Sequence, residues 1–295
     1  MAICTAKELL MKSAKEKYSV GAFNITNILQ MQAVIDAAEN KKSPVIIQTS
    51  VSPSQTIGPD LVVASFSVMA NKVSVNVALH LDHCTDVEYC KVCIDAGYTN
   101  IMFDGSAFPY EENVKKTKEI CDYAHKKGGV SVEGELGKVV GVEDEIIVGE
   151  GESTLCDPEQ VMDFIKSTDV DILAPAIGTA HGFYTTKNPV LDFDLLAKVH
   201  QMVNGDQIRV PLVIHGGTGL TDEVVRKLVR LGGSKFNVST DLKHTLLDAT
   251  YNYIHANRNE YNPGKVDKAV NKAIIEKVER WIDLLGSASK NLTTT

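Results

Sequence analysis

The chain has 295 residues, 44% of them hydrophobic and 23% charged, with 21 glycines. That length supports a sizeable core, and that composition excludes a disordered, collagen-like or coiled-coil chain. The formal net charge is −8 and no face-scale basic run occurs, so nucleic acid is not an expected partner.

No apolar run reaches the ~18–20 residues that span a bilayer, so no membrane partner is expected. Residues 1–17 carry no signal-peptide or transit-peptide pattern, and a cytoplasmic enzyme or binding protein is expected. The cysteines, Cys4, Cys84, Cys90, Cys93, Cys121 and Cys156, are scattered and do not read as a disulfide framework. Cys90 and Cys93 form a CxxC inside a helical pattern, where packing is a better account than redox or metal work.

Thr5-Ala6-Lys7-Glu8 is a capping box that opens a helix to about residue 17. An alternation follows. Strand-like runs at 19–24, 44–50, 75–83, 100–106, 130–137, 171–178, 210–217 and 235–240 are rich in Val, Ile, Leu and Phe. Several are apolar on both faces, as strands of a covered parallel sheet are. Between them lie helical patterns such as 28–40, 86–96, 111–127, 158–167, 191–203 and 221–231. Asp157-Pro158-Glu159-Gln160 is a clear helix start, with Asp as N-cap and Pro first. Eight strand–helix units predict one α/β domain over residues 1–295. Its fold is a (β/α)8 TIM barrel at about 18–258, with an extra N-terminal helix and a C-terminal helical extension at about 266–285. A doubly wound sheet is the alternative, but Gly21-Ala22-Phe23-Asn24 lacks its glycine fingerprint. Residues 138–156 form a long, acidic, glycine-punctuated connection that reads as a lid.

In such a barrel, chemistry gathers at the C-terminal ends of the strands. Those ends read Asn24, Ser50, Asp82-His83, Asp104-Gly105-Ser106, Glu133-Gly134-Glu135, His181, His215 and Asn237. His83, His181 and His215 follow the third, sixth and seventh strands, and three imidazoles with one open position make a catalytic zinc arrangement. His125, His200, His244 and His255 sit in helical segments and read as surface or packing residues. His80, two residues from Asp82 on the same face, fits a supporting role or plain core packing. His215-Gly216-Gly217-Thr218-Gly219 and Asn237-Val238-Ser239-Thr240 follow the last two strands, where barrels commonly cradle phosphate with backbone N–H groups. Zinc beside a phosphate cradle points to a phosphorylated substrate with a carbonyl to polarise, and Asp82 is then a general acid/base within reach. A Schiff-base mechanism would need a lysine at the rim. The sixth strand end, Ala174 to His181, has none, and Lys235 opens the eighth strand at the far end.

Ala22-Phe23-Asn24, Leu79-His80-Leu81-Asp82-His83, Met102-Phe103-Asp104-Gly105-Ser106, 132–137, 141–144, 176–182, 215–219 and 237–240 together resemble the class II, zinc-dependent ketose-bisphosphate aldolases. Fructose-1,6-bisphosphate and tagatose-1,6-bisphosphate aldolases are their best-known members. The resemblance implies reversible cleavage of a ketose phosphate to dihydroxyacetone phosphate and an aldehyde, as in glycolysis. It implies that His83, His181 and His215 hold Zn2+, with Glu135 in an alternative buried position. Asp82 would exchange the proton of the C4 hydroxyl. Glu143, on the loop after the fifth strand, would handle the proton at the enediolate carbon. Gly182, Gly216, Gly217, Thr218, Asn237, Ser239 and Thr240 would surround the dihydroxyacetone phosphate half, and Asn24 and Ser50 would contact substrate or order the loop. The family also suggests a monovalent cation (Na+ or K+) near the phosphate and a homodimer or homotetramer.

The departures, all but Cys84, concern the substrate rather than the metal. Asn262-Pro263-Gly264 stands where the family usually has Asp-Pro-Arg, and glycine does not replace a guanidinium on a distal phosphate. Lys265 or Lys268 is a weaker substitute, and Lys187 stands three residues after Tyr184 rather than directly after it. Ser239 replaces a frequent aspartate, and Cys84 a usual glycine. Fructose 1,6-bisphosphate is the first expectation, with tagatose 1,6-bisphosphate or a sulfofructose 1-phosphate as alternatives. Outside the class, a metal-dependent hydrolase would favour a His-x-His pair on the first strand, which is absent. An inactive sugar-phosphate-binding barrel would have lost a metal ligand or Asp82, and both are present.

Overall fold

The computed structural model describes residues 2–143, 146–148, 154–182, 190–205, 207 and 209–292. In chain order its elements are α1 (Ala6–Glu16), β1 (Val20–Asn24), α2 (Ile28–Lys41), β2 (Val45–Ser50), α3 (Val51–Ile57), α4 (Pro59–Ala70), β3 (Val77–Cys84), α5 (Val87–Ala96), β4 (Asn100–Phe103), α6 (Tyr110–Lys127), β5 (Ser131–Leu136), β6 (Val140–Glu143), β7 (Ile146–Val148), α7 (Pro158–Thr168), β8 (Ile172–Pro175), β9 (Ala180–His181), α8 (Phe193–Asn204), β10 (Leu212–Ile214), α9 (Asp222–Arg230), β11 (Gly233–Val238), α10 (Thr240–Ala256) and α11 (Pro263–Leu285). Strands β1, β2, β3, β4, β5, β8, β10 and β11 pair in parallel and close on themselves. The expected (β/α)8 barrel is therefore present, with α1 before it and α11 after it.

Two apolar layers hold it. The larger lies between the strands and the outer helices and includes Phe23, Leu79, Phe103, Phe164 and Phe236, all completely buried. The smaller fills the lower barrel with Val20, Ala22, Ile46, Ala78, Ile172 and Val213. Leu9 and Leu10 of α1 complete that second cluster from beneath. The Thr5 capping box starts α1: the Thr5 hydroxyl accepts from the Glu8 amide, and the Glu8 carboxylate accepts from the Thr5 amide. Lys7 Nζ then pins the helix to Asp171 at 2.6 Å. With its floor apolar and plugged, the barrel leaves its polar groups to the upper layers.

The differences from expectation lie mostly at strand ends. The runs 100–106, 171–178 and 210–217 pair only over Asn100–Phe103, Ile172–Pro175 and Leu212–Ile214. Beyond those ladders Asp104 and His215 make contacts with His83, and Gly178 has φ 93°. The expected long connection at 138–156 holds a hairpin: β6 pairs antiparallel with β7 and parallel with β9, Gly141 beside His181. Gly141 has φ 110°, and a Cβ there would lie 2.2 Å from the His181 carbonyl oxygen, so only glycine lets the hairpin seat against the strand bearing His181. The helices α3, α4 and α10 are not among the named helical patterns, though the eight strand–helix units imply helices after the second and eighth strands. In α3 the chain turns directly from β2 into helix at Ser50, and Thr240 is the first helical residue of α10 rather than the end of a strand.

Cys90 and Cys93 are buried within α5, and all the cysteines are free, in line with the packing account. The thiols of Cys90 and Cys93 are raised by burial, the latter to about 12, which disfavours the thiolate near neutral pH.

Candidate active site

Neighbours on a strand point to opposite faces. Asp82 and His83 should therefore separate, one inward and one outward. They do not. The β3–β4 register shifts between Leu81 and Cys84, and His83 adopts φ 47°. This bulge turns the imidazole back over the barrel mouth. Left-handed backbone at a non-glycine residue is strained and tends to mark functional positions.

His83 meets His181 and His215. One ring nitrogen from each lies within 4.8 Å of the other two, and all are buried. Nε2 of His83 is 2.8 Å from Nδ1 of His215, and the His83 ring centroid is 4.7 Å from that of His181. A zinc site with Zn–N bonds of about 2.05 Å needs nitrogens about 3.3 Å apart, so the cluster fits a divalent ion with small adjustment. Metal-binding imidazoles must also be neutral. Burial, with the neighbouring imidazoles, drives His181 well below the ordinary histidine range, and burial lowers His215 despite its bond to Glu133.

Two carboxylates orient these rings. Asp104 Oδ2 lies 2.8 Å from Nδ1 of His83, leaving Nε2 to face the cluster. Glu133 Oε1 lies 3.0 Å from Nε2 of His215, leaving Nδ1 to face it. Burial would raise both acids, but His83 and Ser106 hold Asp104 far below the carboxylate range, and Lys235 and His215 hold Glu133 at about 2. Both are therefore ionised acceptors, the usual partners of a metal-bound histidine. The sequence shows both at strand ends but gives neither a task. Their even spacing from inward-facing neighbours, Met102 and Glu135, was the available signal.

Glu135 is different. Burial, then Asp104, pushes its carboxyl well above the ordinary range. Among the described residues its Oε2 has no hydrogen-bond partner, and it lies 4.0 Å from Nδ1 of His83. A second potential ligand group, His83, Asp104 and Glu135, forms there. Glu135 is the residue expected in an alternative buried position.

Asp82 sits beside the histidine cluster, completely buried. Asn24 Nδ2 donates to its Oδ2 at 2.9 Å, Gln48 Nε2 to the same oxygen at 3.1 Å, and Asn237 Nδ2 to Oδ1 at 3.2 Å. Burial alone would raise this acid, but His83, His80 and Lys235 outweigh it and hold the carboxyl well below its ordinary value. It is a fixed, ionised carboxylate. Gln48 also donates to Asn24 Oδ1 at 2.6 Å, and sequence reasoning had not singled it out. Its pairing in register with His80, which neighbours Asp82 on β3, places it in the same interior layer. Ser50 is paired with Asp82 itself and is nearly buried.

The remaining rim residues converge as expected. His181, Gly182, Gly216, Gly217, Thr218, Asn237, Ser239 and Thr240 line one small hollow. Gly216 has φ 67°, and a Cβ there would lie 2.4 Å from the Ala180 carbonyl oxygen, so its peptide reaches the hollow only as glycine. The hollow lies against the N-terminus of the 17-residue α10, whose N-cap Ser239 makes no side-chain cap bond. Among the described residues, Ser239 Oγ and Asn237 Oδ1 are buried without partners. Free backbone N–H groups at a helix start favour an anion.

The expected distal contacts do not converge. Lys265 and Lys268 lie in the first turns of α11. That helix runs antiparallel to α10, since Lys277 Nζ and Trp281 Nε1 both reach Asp241, at 2.9 and 2.8 Å. Lys265 is therefore about 18 Å further along the axis than Lys277, away from the rim. It pairs instead with Glu260. Lys187 lies outside the described residues. Glu143 ends β6, and its side chain also lies outside them. Lys235 corrects an expectation: it is the third residue of β11 and points into the barrel, 2.8 Å from Glu133 Oε2.

A family model described as class-II fructose-bisphosphate aldolase matches residues 4–290. A sulfofructosephosphate aldolase of Alkalicoccus urumqiensis is 38% identical over 99% of this chain and 100% of its own length. A fructose-bisphosphate aldolase of Geobacillus stearothermophilus is also 38% identical, over 98% of this chain and 99% of its own. Among solved structures, the YdjI aldolase of Escherichia coli K12 superposes with a TM-score of 0.83 at 31% identity, covering 98% of this chain and 100% of that one.

Proposed function

Because the chain belongs to the class II fructose-bisphosphate aldolase family, a family of lyases acting on sugar phosphates, we propose that it is a zinc-dependent aldolase that releases dihydroxyacetone phosphate from a ketose phosphate. The observation that carries this reading is the convergence of His83, His181 and His215 beside the ionised Asp82, with the glycine-rich hollow adjoining them.

Zinc held by the three histidines supplies Lewis-acid polarisation of the substrate ketone. Asp104 and Glu133 hold two of those histidines in the required tautomers. The hollow of Gly182, Gly216, Gly217, Thr218, Asn237, Ser239 and Thr240 takes the C1 phosphate, and a monovalent cation held by nearby carbonyls is part of the same proposal. With the phosphate anchored there, Asp82 faces the C4 hydroxyl and removes its proton as the C3–C4 bond breaks. C4 leaves as an aldehyde, and the electron pair passes to C3 as the enediolate. Glu143 returns a proton to C3, completing dihydroxyacetone phosphate. Three amide donors keep the Asp82 carboxylate oriented without neutralising it.

Fructose 1,6-bisphosphate is the proposed substrate. A second reading has its own support: Gly264 stands where the family usually has an arginine for the distal phosphate, and one relative with full coverage is named for a sulfosugar substrate. The comparison that separates them is kcat/KM for fructose 1,6-bisphosphate, tagatose 1,6-bisphosphate and sulfofructose 1-phosphate on one preparation. Exhaustive chelation should abolish cleavage and added zinc should restore it. Full activity in metal-free protein, or a lysine adduct trapped by borohydride, sinks the mechanism.

A further inference from the structure

The barrel interior beneath the rim holds a charged group that the proposed reaction leaves unused. Lys235 is completely buried. Its Nζ lies 2.8 Å from Glu133 Oε2 and 3.3 Å from His80 Nε2. Each contact leads to a different part of the site. The other oxygen of Glu133 lies 3.0 Å from Nε2 of His215. Nε2 of His80 lies 3.6 Å from Oδ1 of Asp82. His80 is fixed on its far side too, where Asn100 Nδ2 meets its Nδ1 and Ser131 Oγ meets Asn100 Oδ1.

Stability does not account for this lysine. Removing a Lys–Glu pair from water costs several kcal/mol per ion, and apolar residues of equal volume are often as stable or more so. The floor of this same barrel is filled by such residues. Charge has been retained in the one layer that touches both the metal cluster and Asp82.

We propose that Lys235 is a positioning residue, holding Glu133 against His215 and His80 beneath Asp82 so that metal ligand and base keep one fixed geometry. The proposal rests on the reading of His215 as a metal ligand and Asp82 as the base. It gives one buried cation two tasks that neither carboxylate performs for itself.

The test compares the native protein, Glu133→Gln, and the double variant Glu133→Gln with Lys235→Met. Lys235→Met alone leaves Glu133 buried with its Oε2 stripped of the neighbouring cation and is expected to fold poorly. The double variant removes both charges and should recover thermal stability. Zinc affinity is read by competition with a chelator, and kcat and KM are read at saturating zinc. Supporting partners of metal ligands are typically worth 10–100-fold. The double variant should therefore bind zinc about tenfold more weakly than Glu133→Gln, and turn over about tenfold more slowly, with KM within about twofold. A double variant no worse than Glu133→Gln in either zinc affinity or zinc-saturated kcat overturns the proposal. If the native protein binds zinc but cleaves no ketose phosphate, the functional reading fails, and the zinc comparison alone decides the role of Lys235.

Discussion

Asp82 and His83 both face the barrel mouth although they are sequence neighbours on one strand. The bulge and the left-handed φ of His83 make this possible, and the two side chains then have separable chemistry. Asp82→Ala should keep bound zinc, because its carboxylate is held by amides rather than by the histidine cluster. The same variant should lose about 10²–10⁴-fold in kcat, the usual worth of a positioned base. Zinc content and steady-state kinetics on one preparation check both halves. Asp104→Ala should do the reverse. It frees the His83 ring to rotate, so zinc affinity should drop about 10–100-fold while added zinc restores much of the activity. A zinc-loaded Asp104 variant as inactive as Asp82→Ala would place Asp104 in the proton chemistry instead. At this scale the legible part of the sequence was the residue types at the strand ends. The tautomer of each histidine was not legible, because it depends on which carboxylate the fold brings to which nitrogen.

The segment between β5 and α7 contains a hairpin whose first strand pairs with the residues that carry His181. This ties Glu143 to the histidine cluster through backbone, whatever its side chain does in the reaction. Glu143→Ala should slow solvent proton exchange at the enediolate carbon of dihydroxyacetone phosphate and leave zinc affinity unchanged; an unaltered exchange rate removes Glu143 from the mechanism. At the opposite end, α1 closes the barrel floor with Leu9 and Leu10, both fully buried. Leu10→Ala should cost about 2–5 kcal/mol in denaturant unfolding, with zinc affinity preserved, since the cavity opens far below the rim. Elements such as α1 and α7 were readable because their caps are local: Thr5 with Glu8, and Asp157 before Pro158. The strand ends were misjudged because Asp104 and His215 follow apolar runs, and only pairing across the sheet shows where the ladder stops. The β6–β7 hairpin was missed because its partner strand, β9, lies beyond an intervening helix and barrel strand.

On the scale of the whole molecule, the departures at Gly264 and Lys265 take on a different meaning. The start of α11 lies far from this chain's own rim, so any role at a distal substrate group requires a second copy of the chain. The exposed stripe Leu247, Tyr251 and Ile254 on α10 offers the apolar surface that such a contact would cover. Sedimentation should accordingly show a homodimer or homotetramer, and Leu247→Glu with Tyr251→Glu should shift it toward monomer; a monomeric native protein refutes the arrangement. The sequence by itself determined the repeated strand–helix order, because both-faced apolar runs and local caps are properties of neighbouring residues. It also determined which strand ends carry imidazole, carboxylate and glycine, since those are residue identities at readable positions. Only the tertiary structure decided that His83 turns inward beside Asp82, that Asp104 and Glu133 set the tautomers, and that Lys235 stands under the site rather than at its edge. Those contacts join residues 21 to 155 positions apart: the His83–Asp104 contact needs the pairing of β3 with β4, and the other two need closure of the barrel, which brings non-neighbouring strands across its axis.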